Sequence, residues 1–300
     1  MKKNTWILWG FFCFISLAYS PEIFSEDELD RLVPRAPRVP VSIQISKECA
    51  NLVMYFEWKK FALAERLVGF WENKKLGLSD REFNKLIVRE RELVSEKRKQ
   101  LPHYAARELL RGAASSVTGW GNCGEHTALL WTDLYSKARG DEVMGCKGAK
   151  IFDVIVSVGG KKRDHVWIEV WVPKDEGHSI VRRNSYEEPT FISEKLNGQA
   201  GYYLVFDAGS DETGPYRVVR KILMETEKRI PHPSEYVAER TLLDPASVNA
   251  ELFAQAQKLA FEVGAAMPTR EQVFKSGFSL TDGVDDSAPF RRASSSGRFD

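Results

Sequence analysis

GWGNCGEHTALLWTDLYSKARG, residues 119–140, is where the periodicity of the chain changes. Gly119, Trp120, Gly121 and Asn122 read as a tight loop. Cys123 to Ala138 has helical spacing, with Leu129, Leu130, Leu134 and Tyr135 as its apolar stripe and Gly140 as a stop signal. KIFDVIVSV, residues 150–158, then alternates like a strand. After a turn at Gly159–Lys162, DHVWIEVWV (164–172) alternates again. Val166, Ile168, Val170 and Val172 share one face; His165, Trp167, Glu169 and Trp171 share the other. Residues 173–200 are polar and irregular and read as an insertion. Tyr202–Phe206 is a third strand ending at Asp207, and Val218–Met224 is a candidate fourth.

Upstream, the reading is mostly helical. Prolines 21, 34, 37 and 40 mark residues 19–45 as an extended lead-in with one short helix at Glu26–Leu32. From Lys47 to Asn73, Leu52, Tyr55, Phe56, Phe61, Leu63, Leu67, Phe70 and Trp71 recur at helical spacing. Ser79 and Glu82 form a capping box that opens a helix running to about Gln100. A further helix covers Tyr104–Ala113. The organisation expected is a helical N-terminal region at 19–115, a core at 116–225, and a helical C-terminal segment at 226–280 with helices at 247–263 and 270–275. The Ser-, Asp- and Arg-rich tail at 281–300 has the composition of a disordered segment. No internal repeat is visible.

Residues 1–18 stand apart. Lys2 and Lys3 precede an apolar run from Trp6 to Ala18, with small residues Ser16 and Ala18 before Tyr19. This is the pattern of a secretory signal peptide, and the run is short of the roughly 20 residues a membrane span needs. An uncleaved N-terminal anchor is the alternative. With removal, a secreted or periplasmic protein and no stable membrane insertion are expected. The formal charge of +1 then becomes −1 by loss of two lysines. So balanced a charge offers no basic face for nucleic acid.

The four cysteines are Cys13, Cys49, Cys123 and Cys146. Cys13 leaves with the signal, and three thiols is an odd count for an exported chain. Cys49 and Cys146 could pair and leave Cys123 as the reactive thiol; both could equally be small buried hydrophobes. No Cys or His spacing suits a metal, and no organic cofactor is implied.

Cys123 opens a helix after a glycine-rich turn, where backbone N–H groups and the helix dipole favour a thiolate and can hold an oxyanion. Gly121 and Gly124 flank it and permit close backbone approach. Of five histidines, only His165 lies within a convincing strand. Asp207 ends the next strong strand, where antiparallel pairing would set it beside His165 and let it orient the imidazole. Cys123, His165 and Asp207 are therefore the candidate triad. Trp120, Asn122 and Gly124 are oxyanion or cleft candidates, with core or wall packing the plainer role for Trp120. His126 reads as a cap or packing residue, Glu125 as a first-turn helix-dipole partner or a structural hydrogen-bond acceptor, and Trp58, Trp71, Trp167 and Trp171 as core or cleft-lining residues.

Gly-Asn-Cys-Gly-Glu-His at 121–126, Asp-His-Val-Trp-Ile-Glu-Val at 164–170 and the strand-end Asp207 together resemble the transglutaminase-like superfamily. The pieces around Cys123 and His165 are most similar to the peptide N-glycanase pattern. The likeness spans residues 119–210. It implies a papain-like α+β core in which the cysteine helix packs on an antiparallel sheet, here with a helical N-terminal region. It also implies acyl transfer on a protein or peptide amide through a thioester, as a transglutaminase, deamidase or amide hydrolase. A papain-like peptidase and an inert binding module of the same fold are the alternatives. The stretch from His165 to Asp207 is longer than the pattern requires, so residues 173–200 should loop out.

Overall fold

The computed structural model describes residues 39–64, 66–67, 78–140, 142–159, 161–184, 190–207, 233–268 and 272–273. The signal segment 1–18, the helix at Glu26–Leu32, the strand at Val218–Met224 and the tail 281–300 lie outside them.

Strand β1 (Val39–Ile45) leads into helices α1 (Lys47–Ala64), α2 (Asp80–Arg98), α3 (Tyr104–Thr118) and α4 (Cys123–Tyr135). Three two-residue strands follow: β2 (Ala138–Arg139), β3 (Glu142–Val143) and β4 (Cys146–Lys147). Next come β5 (Lys150–Val158), β6 (Lys161–Pro173), β7 (His178–Asn184), β8 (Phe191–Leu196), β9 (Gln199–Phe206), β10 (Tyr236–Leu242) and helix α5 (Ala250–Ala265). The main sheet is antiparallel, in the order β10-β5-β6-β9-β8. The architecture is α+β.

The alternation of β6 sorts its side chains as its sequence predicts. Ile168, Val170 and Val172 join the large core shared with the helices, while Trp167 and Trp171 join a second cluster with Val154, Val156 and Tyr203. Both faces of this central strand are buried. Fully burying one such side chain contributes about 1.5–3 kcal/mol, so the two clusters fix its register.

Local signals account for the helix starts. The Ser79 hydroxyl accepts from the Glu82 N–H, and Glu82 accepts in turn from the Ser79 N–H at 2.9 Å. Helix α3 runs five residues past the expected Ala113, through Ser115, Ser116, Val117 and Thr118. Buried Glu90 accounts for this: it accepts from Ser115 Oγ at 3.0 Å and Thr118 Oγ1 at 2.9 Å, turning weak helix formers into anchored ones. Gly119 closes α3 in the left-handed region at φ 78°.

Several expectations are corrected. Helix α4 ends at Tyr135, because Ala138 is drawn into β2 by pairing with Val143. Residues 173–200 are not simply an irregular insertion: β7 pairs with β1, and β8 with β9. The polar composition of β7 suits a two-stranded ribbon in which Ile180 packs inward while Val181 stays 69% exposed. The predominantly helical N-terminal region thus opens with a strand. The C-terminal segment likewise begins with β10, an edge strand beside β5. Trp58 is no core residue, being 61% exposed. Cys49 and Cys146 form a disulfide, with 4.5 Å between Cα atoms, that ties α1 to β4.

Candidate active site

The triad positions come from three separate elements. Cys123 is the first residue of α4, half-buried and outside the disulfide. His165 lies in β6 beside a register shift, where Lys162, Lys161 and Val166 pair with β5 but residues 163–165 do not. Asp207 follows the last residue of β9, just past the Ile168–Phe206 pair. Antiparallel pairing of β6 with β9 therefore brings the two strand residues together, and α4 brings the sulfur. Thr127 Oγ1 anchors that helix by donating to the Val166 carbonyl at 3.2 Å.

His165 Nε2 and Asp207 Oδ2 are 2.7 Å apart and buried. The Cys123 side chain hydrogen-bonds the imidazole as well. Burial alone would lower the His165 pKa, but the charge and hydrogen bond of Asp207, reinforced by Cys123, raise it to about 10. At neutral pH His165 is accordingly an imidazolium, the form that stabilises a neighbouring thiolate.

The loop before Cys123 is built by close approach. A Cβ on Gly121 would lie 2.7 Å from both Glu125 Cβ and Leu67 Cδ1. The Asn122 N–H donates to Glu125 Oε2 at 3.0 Å, completing the first turn. His126 is buried with Nδ1 2.9 Å from the Asn122 carbonyl, so this histidine is occupied in holding the turn. Trp120 is fully buried, packs edge-on against Phe83 and donates its indole N–H to the Pro268 carbonyl at 3.4 Å. Of the oxyanion candidates Trp120 is thus core. Gly124 lines the cavity beside Cys123, and Asn122 carries a buried Nδ2 with no partner among the described residues.

That cavity, of about 330 Å³, has walls from α2 (Glu90, Arg91, Arg98), α3 (Tyr104, Arg111), the start of α4 and Asp153 of β5. The sequence reading did not single these residues out. Arg91 grips Glu125 with two hydrogen bonds of 3.1 and 3.0 Å. Burial would raise the Glu125 pKa, but Arg91 and Arg111 hold it down at about 2. Arg98 and Arg111 meet Glu108 at 2.8 and 3.1 Å. Burial, with the Glu125 charge nearby, pushes Glu90 up to about 8. Burial and Glu108 likewise raise Asp153, to about 6. One signal was available in sequence: Asp153 sits between Ile151 and Ile155, a carboxylate on the same register as two isoleucines of a mostly apolar strand.

No ligating cluster of three or more His, Cys, Asp or Glu occurs among the described residues, and no helix there is long and apolar enough to cross a membrane. No family model, curated protein or solved structure matches this chain.

Proposed function

We propose that the protein is a cysteine-dependent acyltransferase or amide hydrolase with a transglutaminase-like, papain-like core. The observation that carries this reading is the grouping of Cys123, His165 and Asp207, assembled from a helix start and two adjacent strands, with both Asp207 and Cys123 hydrogen-bonded to His165. The thiolate of Cys123 attacks an amide carbonyl and forms a C–S bond. The tetrahedral oxyanion sits by the first-turn N–H groups of α4. His165 delivers its proton to the leaving nitrogen as the C–N bond breaks, giving a thioester and a neutral amine. Attack by water or an amine, with His165 now taking the proton, releases the product and restores the thiolate. Asp207 holds the ring throughout.

A protein or peptide amide is the proposed substrate. Export is proposed too: the N-terminal signal pattern supports it, and so does the Cys49–Cys146 disulfide, a bond that persists in oxidising compartments. The test is labelling of the intact protein with a thiol reagent, followed by turnover on a glutamine-bearing protein with and without a labelled amine. Cys123 should label far faster than free cysteine. Amine incorporation would identify a transglutaminase, and ammonia release alone a deamidase. A Cys123 that labels no faster than free cysteine would remove the basis for the enzyme reading.

A further inference from the structure

Three guanidinium groups line the cavity beside Cys123, and their ion pairs point one way. The side chains of Arg91, Arg98 and Arg111 are 34%, 26% and 25% exposed, whereas those of their partners Glu125 and Glu108 are 3% exposed. Each carboxylate thus lies behind the cation it balances. Arg91 is held through two nitrogens by Glu125. Arg98 and Arg111 are held more loosely, because they share Glu108. Arg98 Nη2 meets one of its oxygens at 2.8 Å and Arg111 Nη1 the other at 3.1 Å. A guanidinium carries five N–H donors in a planar fork, so both keep donors for a second carboxylate. Arg111 also reaches the nucleophile's neighbour: its Nη1 lies 3.3 Å from where a Cβ on Gly124 would sit.

Contact, rather than net charge, decides what fits there. The three arginines and the His165 imidazolium face five anions: Glu108, Glu125, Asp153, Asp207 and the Cys123 thiolate. Four of those anions are no more than 5% exposed. At contact range an entering group therefore meets guanidinium N–H on one wall and the thiolate, paired with His165, beside it. A substrate suits both when it sets an electrophilic carbonyl at the sulfur and an anion against the arginines.

We propose that Arg98 and Arg111 form a subsite for a substrate carboxylate close to the amide that Cys123 attacks, so that the enzyme selects amides flanked by an acidic residue. This rests on the acyl-transfer reading and adds the acidic neighbour to it. The cavity, of about 330 Å³, is within the range of ligand sites.

Charged thiol reagents test the subsite without turnover. The full-length protein is labelled in turn with the sulfonatoethyl, trimethylammonioethyl and methyl methanethiosulfonates, and mass spectrometry follows Cys123. Rates are normalised to the methyl reagent and compared with those of N-acetylcysteamine. On that scale the sulfonate should label Cys123 about tenfold faster than the ammonium reagent, the effect of one charge-assisted contact. Arg98→Gln leaves Glu108 its Arg111 partner and should remove most of this preference; Arg98→Lys should keep part of it. No preference, a preference for the ammonium reagent, or a preference unmoved in a folded Arg98→Gln would overturn the proposal. If that variant fails to fold, the order in the unaltered protein decides. Blocked peptides with a central glutamine followed by Glu, Gln or Lys then identify the source of the carboxylate. The Glu peptide should protect Cys123 from the methyl reagent about tenfold better than the others. Equal protection by the Glu and Gln peptides would overturn the proposal. Equal or better protection by the Gln peptide with a free C-terminal carboxylate would place a chain end at the arginines and overturn the acidic side chain. A thiol no faster than the reference with the methyl reagent would instead overturn the acyl-transfer reading, and the charge order would still decide the subsite.

Discussion

Strand β6 carries two buried charged stations four residues apart, and only one of them is built for chemistry. At His165 the partner is Asp207, and the third neighbour is a half-buried cysteine that lines a cavity. At Glu169 the partner is Arg240, and the third neighbour is the Trp167 indole, which donates at 3.1 Å. Arg240 lies 4.1 Å over the Tyr203 ring and closes that station against the second core cluster. Both carry raised pKa values: His165 through its carboxylate partner against the pull of burial, Glu169 through burial itself. Burial and a shifted pKa are thus shared by a candidate catalytic pair and a structural one. What separates them is a nucleophile within reach and a space for its substrate.

The sharpest way to break this contrast is to exchange the consequences. His165→Ala should lower turnover on an amide substrate by about 10³-fold or more, comparable to losing a base that acts as a unit with its nucleophile. Cys123→Ala should abolish it, and Asp207→Ala should be milder than His165→Ala. Glu169→Gln should change turnover by less than about twofold in folded protein. Should Glu169→Gln prove as damaging as His165→Ala, the two stations are one functional unit and the distinction fails.

The disulfide gives the next largest effect, on stability alone. It closes a loop of sequence separation 97, worth about 4.7 kcal/mol in the chain-entropy account. The Cys49→Ala, Cys146→Ala double variant should lose that much in denaturant unfolding while keeping fast labelling at Cys123. Thiol titration of denatured, unreduced protein should find Cys123, plus Cys13 where the first segment is retained. Detection of Cys49 or Cys146 as thiols would contradict the bond.

Arg240→Ala should cost about 3 kcal/mol, because Glu169 is then left fully buried without its cation. Thiol reactivity at Cys123 should stay within about twofold of the parent. A large stability loss with intact reactivity is the mirror image of His165→Ala and would sharpen the contrast.

Legibility in the sequence followed the same divide. Elements with strong local signals were readable: the Ser79–Glu82 capping box, the alternation of Lys150–Val158, and the strand around His165. The ordered Cys123, His165 and Asp207 were readable because each sits where an element begins, bulges or ends. Elements held by partners distant in sequence were not. β7 and β10 are polar strands whose pairing with β1 and β5 supplies what their composition lacks. The last turn of α3 depends on Glu90, some 25 residues earlier. The cavity was hidden for a related reason. Arg91, Arg98, Glu108 and Arg111 look like solvated helix faces, and only the packing of α2 on α3 and of α3 on α4 turns them inward. Asp153 was the exception, a carboxylate in register with two isoleucines that went unremarked.

The smallest effect separates two buried carboxyls by their partners. Glu169 is ion-paired with a guanidinium; Glu90 meets two hydroxyls at close range, with the Glu125 and Arg91 charges beyond. Glu90 therefore keeps its proton in the folded state up to about pH 8, whereas the unfolded side chain releases it near the ordinary glutamate value of 4.5. Between those values the folded state binds more protons, so stability is greatest below about pH 4.5 as far as this group is concerned and is lost as pH rises through about 8. Glu90→Gln keeps the shape and removes the titration. Its unfolding free energy should lie within about 1 kcal/mol of the parent near pH 5 and exceed it by about 3–4 kcal/mol near pH 8. Denaturant unfolding of the two proteins across that range measures the difference in slope. Parallel curves would mean that Glu90 is ionised in the fold and held by Arg91.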